Sequence, residues 1–193
     1  MELQDPNDIA AYDELEQRRI GGPEPLTRAI ELRDYDPSWP ERYAEHASRL
    51  RDTLGERAVR IEHVGSTSVP RLAAKPIIDI ALEVPDTTDE VAYVGDLEAA
   101  GYVLRFREPE WFEHRLFQPE DCSVNLHVFP AGCSETDRMV RFRDWLRSHD
   151  ADRELYLRTK RELAGRDWKY MQQYADAKTR VVEEIMTRAF ADE

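Results

Sequence analysis

One acid interrupts the most apolar part of this chain. Pro76–Val84, PIIDIALEV, is too short for a typical helix and rich in β-branched residues, so it reads as a buried strand. The period of two puts Asp79, Ala81 and Glu83 on one face and Ile78, Ile80 and Leu82 on the other. A carboxylate within a core strand costs several kcal/mol unless a cation, a metal or hydrogen-bond donors meet it. The residues just upstream offer a reason for that cost. Ala58–His63 reads as a strand that runs into Gly65-Ser66-Thr67-Ser68, which has a permissive backbone and three hydroxyls. A short helix is expected at Val69–Ala74, and its free amides and positive end would attract phosphate. The alternative is a plain N-cap turn in which Ser66 or Thr67 satisfies backbone donors. Lys75 precedes Pro76, so its backbone is held extended and its side chain leaves at the strand mouth. There it binds a phosphate or pairs with Asp79 or Glu62.

Composition narrows the partners. The 193 residues carry a formal charge of −13, with 40 acidic against 27 basic side chains. That balance argues against general nucleic-acid binding while leaving room for a local basic groove. The cations are nearly all Arg; the lysines are Lys75, Lys160, Lys169 and Lys178. Cys122 and Cys133 match no metal-binding spacing and form no disulfide framework, which fits reduced thiols in the cytoplasm. The acidic N-terminus and the absence of a long apolar run predict no signal peptide and no membrane span.

Taken in order, residues 1–26 read as an N-terminal arm. It has helical spacing at Ile9, Tyr12 and Leu15, ended by Gly21-Gly22-Pro23, and packs on the body or on a partner subunit. Residues 27–133 read as an α/β core. Strands are expected at Ala29–Arg33, Tyr102–Phe106, Trp111–Phe117 and Ser123–Phe129, and helices at Pro37–Leu54 and Asp89–Ala100. Residues 134–193 read as a helical part, with helices at Glu135–Ser148, Asp150–Ala164 and Asp167–Ala189, packed on the core as one unit. Arg143 and Arg147 lie four apart on one helix face, and Tyr156/Lys160 and Tyr174/Lys178 repeat a Tyr-x-x-x-Lys spacing. Each pair is either a solvated face or a cationic wall over a cleft; Arg143 and Lys160 are the stronger candidates for the wall.

His63-Val64-Gly65-Ser66-Thr67-Ser68-Val69-Pro70, Lys75-Pro76-Ile77-Ile78-Asp79-Ile80, Asn125-Leu126-His127-Val128 and Phe142-Arg143-Asp144-Trp145-Leu146-Arg147 together resemble the GrpB family. The resemblance runs from about Glu31 to Ala189. It implies the nucleotidyltransferase fold, an α/β (α+β) mixed sheet flanked by helices and followed by a C-terminal helical part. In that fold a Gly-Ser turn holds phosphate, and two acids one residue apart on the next strand hold divalent metal, often with a third acid on a later strand. Gly65, Ser66 and Asp79 match the pattern. Ala81 stands where the second acid belongs, and His127 lies where the third would be. Mg²⁺ or Mn²⁺ would then rest on Asp79 and His127 with help from Glu83; a transition metal would recruit His63, His114 and His127 beside Asp79.

Two functions follow from the resemblance. One is a metal-dependent transferase that moves a nucleotidyl or other phosphate-bearing group from a nucleoside triphosphate to a small acceptor. Asp79 and His127 would be its catalytic residues, with Gly65, Ser66, Thr67, Lys75, Arg143 and Lys160 binding phosphate. The other is a non-catalytic nucleotide- or anion-binding module that acts through a protein partner or as a homodimer. Family members fused to dephospho-CoA kinase imply a link to coenzyme A metabolism. Ala81 favours the second function.

Overall fold

The computed structural model describes residues 5–191. Residues 1–4, 192 and 193, which the arm and the helical part were expected to include, lie outside the described residues. Five strands form one sheet: β1 (Arg60–Val64), β2 (Ile78–Val84), β3 (Val103–Glu108), β4 (His114–Gln118) and β5 (Val124–Pro130), in the order β1-β2-β5-β4-β3. The central pair, β2 and β5, is parallel and every other pair is antiparallel. This is the mixed sheet flanked by helices that the motifs imply.

Each face of the sheet has its own chemistry. Ile78, Ile80 and Leu82 of β2 register with Val124, Leu126 and Val128 of β5. These residues are buried with Trp39, Leu50 and Leu54 of α2 (Trp39–Leu54) and Leu97 of α3 (Val94–Ala99). Each such side chain contributes about 1.5–3 kcal/mol on burial. On the opposite face Asp79, Ala81 and Glu83 lie beside Asn125, His127 and Phe129. The helical half covers that second face with α4 (Ser134–Ser148), α5 (Asp150–Ala164), α6 (Met171–Asp176) and α7 (Thr179–Ala191). A second apolar cluster, including Leu72, Leu146, Tyr156, Val181 and Ile185, joins these helices to the segment after β1.

Several expected elements take another form. Ala29–Arg33 forms no strand; only Arg33 bridges Ala74, through reciprocal 2.8 Å hydrogen bonds. The short helix expected at Val69–Ala74 is absent, because Pro70 and the left-handed Arg71 (φ 67°) turn the chain out of it. A single 3₁₀ turn, Ser66–Ser68, stands ahead of it instead. Trp111–Glu113 form a turn with Phe112 and Glu113 at φ 55° and 51°, so β4 begins only at His114. The expected Asp89–Ala100 helix shortens to α3 after a 3₁₀ turn at Glu90–Ala92, and the last helix breaks between Asp176 and Thr179.

The arm is tied to the body at several points. Asp8 caps α1 (Ile9–Gln17), and Tyr12 is fully buried with its hydroxyl donating to Asp176 Oδ2 at 2.7 Å. Lys169 pairs with Asp13, Gln173 donates to the Pro6 carbonyl, and the Ile20 amide donates to Arg105 O at the β3 edge.

Candidate functional site

Asp79 is held from two sides. Asn125 Nδ2, beside it on β5, donates to Oδ1 at 2.8 Å. Asn125 is oriented in turn by Gln118, whose amide donates to Asn125 Oδ1, and Gln118 accepts from Arg19 of the arm. On the other side Gly65 lies against the carboxylate. A β-carbon there would stand 2.8 Å from Asp79 Cβ and Cγ and closer still to Oδ2. Gly65 also has φ 68°, a region that L side chains rarely adopt.

Cations from three segments feel the charge of this acid: Lys75 ahead of β2, Lys160 of α5, and Lys178 between α6 and α7. Lys75 Nζ reaches Met171 Sδ and lies 5.6 Å from the centre of the Tyr174 ring; Lys178 Nζ lies 4.5 Å from the same ring. Lys160 is 2% exposed, donates to the Ala73 carbonyl at 2.6 Å and stands over Tyr156. Burial lowers all three lysines, Lys75 and Lys178 to about 8 and Lys160 well below the ordinary value, while Asp79 pulls each of them back up. Two phenols complete the wall. Burial raises Tyr156 to about 12, opposed by a hydrogen bond from Ser66. The Tyr174 hydroxyl is buried with no hydrogen-bond partner.

The remaining site candidates are placed as follows. His127 lies on the Asp79 face of β5, and burial pushes it down to about 4, with the neighbouring His114 adding to the shift. Its Nδ1 is 3.0 Å from His114 Nε2. His63 belongs to the other face, where it stacks on Tyr43 at 4.7 Å and bonds Thr67 Oγ1, so the expected three-histidine cluster does not form. Thr67 is therefore occupied, and Ser68 Oγ donates to the Gly65 carbonyl; of the three hydroxyls in the turn, Ser66 is the one that meets Tyr156. Glu83 is held elsewhere: Oε2 accepts from the Gly132 amide, and Arg60 approaches to 3.8 Å. Lys75 forms no ion pair with Asp79 or Glu62, because Glu62 is taken by Arg60 and Arg143. Arg143 is saturated by Asp144, Glu62 and the His63 carbonyl, so it buttresses β1 and forms no open cationic wall. Arg147 likewise donates to the Ser68 carbonyl.

Among the described residues no three of His, Cys, Asp or Glu are grouped as metal ligands. The donor set around Asp79 fits a hard divalent cation poorly, since it offers one carboxylate, an alanine in place of the second, and three amines. A cavity of about 220 Å³ between Leu26–Ile30 and Arg166–Trp168 contains none of these residues. Lys160 is buried, whereas Asp79, Lys75 and Lys178 remain partly exposed. Among the described residues no helix is long and apolar enough to cross a membrane.

Sequence spacing gives Asn125 and Glu108 no role, although the alternation of Asn125 and His127 along an otherwise apolar strand points toward the first. Tyr174 and Lys178 stand there as either a solvated face or a cationic wall, and His114 as a transition-metal candidate.

Comparison with known proteins agrees with the motifs. The family model described as GrpB protein matches residues 29–188. A UPF0157 protein of Halalkalibacterium halodurans is 55% identical over 93% of this chain and 92% of its own length. A second, from Streptomyces coelicolor, is 47% identical over 89% of each chain. More distantly, a protein of Mycolicibacterium paratuberculosis named dephospho-CoA kinase is 30% identical over 68% of this chain and 39% of its own length. The crystal structure of the conserved protein GrpB from Enterococcus faecalis superposes with a TM-score of 0.74 at 28% identity, covering 84% of this chain and 98% of that one.

Proposed function

The chain belongs to the GrpB family, and from its cleft we propose that it binds a small phosphate-bearing molecule, of the nucleotide class, directly through lysine side chains. The observation that carries this reading is the convergence of Lys75, Lys160 and Lys178 on one carboxylate in a buried setting. Amines kept partly discharged by burial regain their ordinary basicity when an anion enters. The unpartnered Tyr174 hydroxyl and Ser66 supply neutral donors in the same wall. Asp79, held by Asn125 and given room by Gly65, offsets the resting charge of the cluster. A metal has no place in this reading, because the donor set is cationic. The relatives named dephospho-CoA kinase support a ligand of the coenzyme A or adenine-nucleotide kind.

A second reading, transfer of a phosphate-bearing group to a small acceptor, is favoured by one observation, the His127 imidazole beside Asp79 on the same sheet face.

Thermal melts with ATP, dephospho-coenzyme A and pyrophosphate, each in EDTA and again with Mg²⁺, test the binding reading. A ligand at a hundredfold excess over Kd stabilises by about 2.7 kcal/mol. The expected result is stabilisation that survives EDTA and disappears in Lys178→Met. Stabilisation that requires Mg²⁺, or none with any of the three, refutes it.

A further inference from the structure

A line of polar side chains crosses the sheet from its edge to the cleft. Glu108 on β3 registers with His114 on β4, and Glu108 Oε2 lies 2.7 Å from His114 Nδ1. His114 Nε2 lies 3.0 Å from His127 Nδ1 on β5. His127 registers with Ala81 of β2, one position along the same face from Asp79. The His114 ring is 1% exposed and fixed by contacts with Trp111 at 4.7 Å and Phe129 at 4.8 Å.

The donors and acceptors in this line can be ordered from one end. An ionised carboxylate only accepts, so the proton facing Glu108 is on His114 Nδ1. A neutral imidazole carries one proton, which leaves His114 Nε2 as an acceptor. The proton between the rings therefore belongs to His127 Nδ1, and His127 Nε2 is bare. That nitrogen has no hydrogen-bond partner among the described residues, and the His127 side chain is half-buried.

We propose that Glu108 and His114 are positioning residues that set His127 as a proton acceptor at Nε2, aimed at a hydroxyl or amine of a molecule bound in the Asp79 cleft. The inference rests on the phosphate-ligand reading for the molecule but on hydrogen-bond direction alone for the tautomer. In the step itself an O–H or N–H bond of the bound molecule breaks and an N–H bond forms at His127 Nε2. The imidazolium charge lies between Asp79 on one side and, through His114, the Glu108 carboxylate on the other. Burial keeps both rings neutral beforehand, lowering His114 and His127 alike.

Long-range ¹H–¹⁵N correlation spectra of the full chain at pH 7.5 test the inference, with His127 assigned through His127→Gln. The expected spectrum shows His127 protonated at Nδ1 and bare at Nε2. In Glu108→Ala the direction of the line is no longer imposed, and both rings average between tautomers. Carbethoxylation of His127 by diethylpyrocarbonate, mapped by mass spectrometry, should then slow to roughly half, as equal tautomer populations require. Where Glu108→Ala fails to fold, Glu108→Gln, which removes the charge and keeps the shape, is expected to shift the populations in the same direction. A proton on His127 Nε2 in the wild type, or tautomers unchanged in the variants, overturns the inference. Pyrophosphate or ATP added to the same sample reads the other premise. The expected tautomer without a response to either probe refutes the phosphate ligand and leaves the Glu108 line standing.

Discussion

Gly65 and Asp79 occupy each other's space: the absent side chain of the glycine is the room in which the carboxylate sits. Val64 and Asp79 are registered partners across β1 and β2, so the residue after Val64 necessarily crowds the acid. A side chain at Gly65 has two costs, the left-handed φ of 68° and the collision with Asp79. Gly65→Val is expected to lose about 1–3 kcal/mol from the backbone strain alone. It should also abolish phosphate-ligand stabilisation, because Asp79 must move toward the lysines. Urea melts of the variant, with and without pyrophosphate, check both effects.

Asp79→Asn separates an electrostatic role from metal ligation by the sign of the result. Removing a negative charge from a cleft lined by Lys75, Lys160 and Lys178 should destabilise the free protein and tighten anion binding in EDTA. The expected gain is about 1–2 kcal/mol, roughly tenfold in affinity. A metal ligand at this position predicts the reverse, a loss of binding confined to Mg²⁺-containing buffer. Isothermal titration with pyrophosphate decides.

Alkaline pH should weaken the ligand while strengthening the fold. Lys75 and Lys178 titrate near 8 in the free protein, below the ordinary 10.5. A bound anion raises them, so the affinity is fully present below about pH 8 and is lost as pH rises beyond it, by up to roughly tenfold per unit for each lysine. For folding, the unfolded chain binds more protons between pH 8 and 10.5. The contribution of these lysines to stability therefore grows across that window. Parallel melts of free and liganded protein at pH 7 to 10 give both slopes.

Acid acts through the histidines. His63 and His127 are lowered to about 4 from 6.5, chiefly by burial. Their contribution is complete above pH 6.5 and is lost as pH falls toward 4, by up to about 1.4 kcal/mol per unit for each ring. His63→Phe, which keeps the stack on Tyr43 without a titrating group, should flatten the acid limb of the stability profile measured by chemical denaturation.

Much of this site was readable in the order of residues, because strand alternation is local. Asp79 opposite Ile78 and Ile80, and Asn125 and His127 opposite Leu126, follow from the period of two without knowledge of the fold. What could not be read depends on distant pairing. Glu108 meets His114 only through the β3–β4 register, and Arg19 reaches Gln118 only because the arm folds back. The spacing of four predicts Tyr174 and Lys178 on one face of a continuous helix. The break after Asp176 leaves Tyr174 on α6 and Lys178 in the turn that follows, with the ammonium over the ring. Arg143 shows the reverse error: its spacing suited an open wall, but Glu62 and Asp144 consume its donors.

Tyr12 provides a test of the arm. Its hydroxyl donates to the Asp176 carboxyl, which is otherwise met by a hydrogen bond from Gln172 and the charge of Lys178. Tyr12→Phe keeps the packing and removes that donor, so a loss of about 1–3 kcal/mol is expected, read from urea melts.

The same contact sets an order for synthesis. Tyr12 emerges from the ribosome 164 residues ahead of Asp176, the residue that receives its hydroxyl. Met171, Tyr174 and Lys178, which close the cleft over Asp79, arrive equally late. While the chain is being made, the arm and the polar face of the sheet wait uncovered together, and neither half can mature before the other. A chain interrupted during translation between Pro130 and Asp176 therefore carries the whole sheet without a complete cleft. A phosphate-bearing ligand of the kind proposed cannot rescue such a fragment, since Lys178, one of the three lysines that would receive it, has yet to be made.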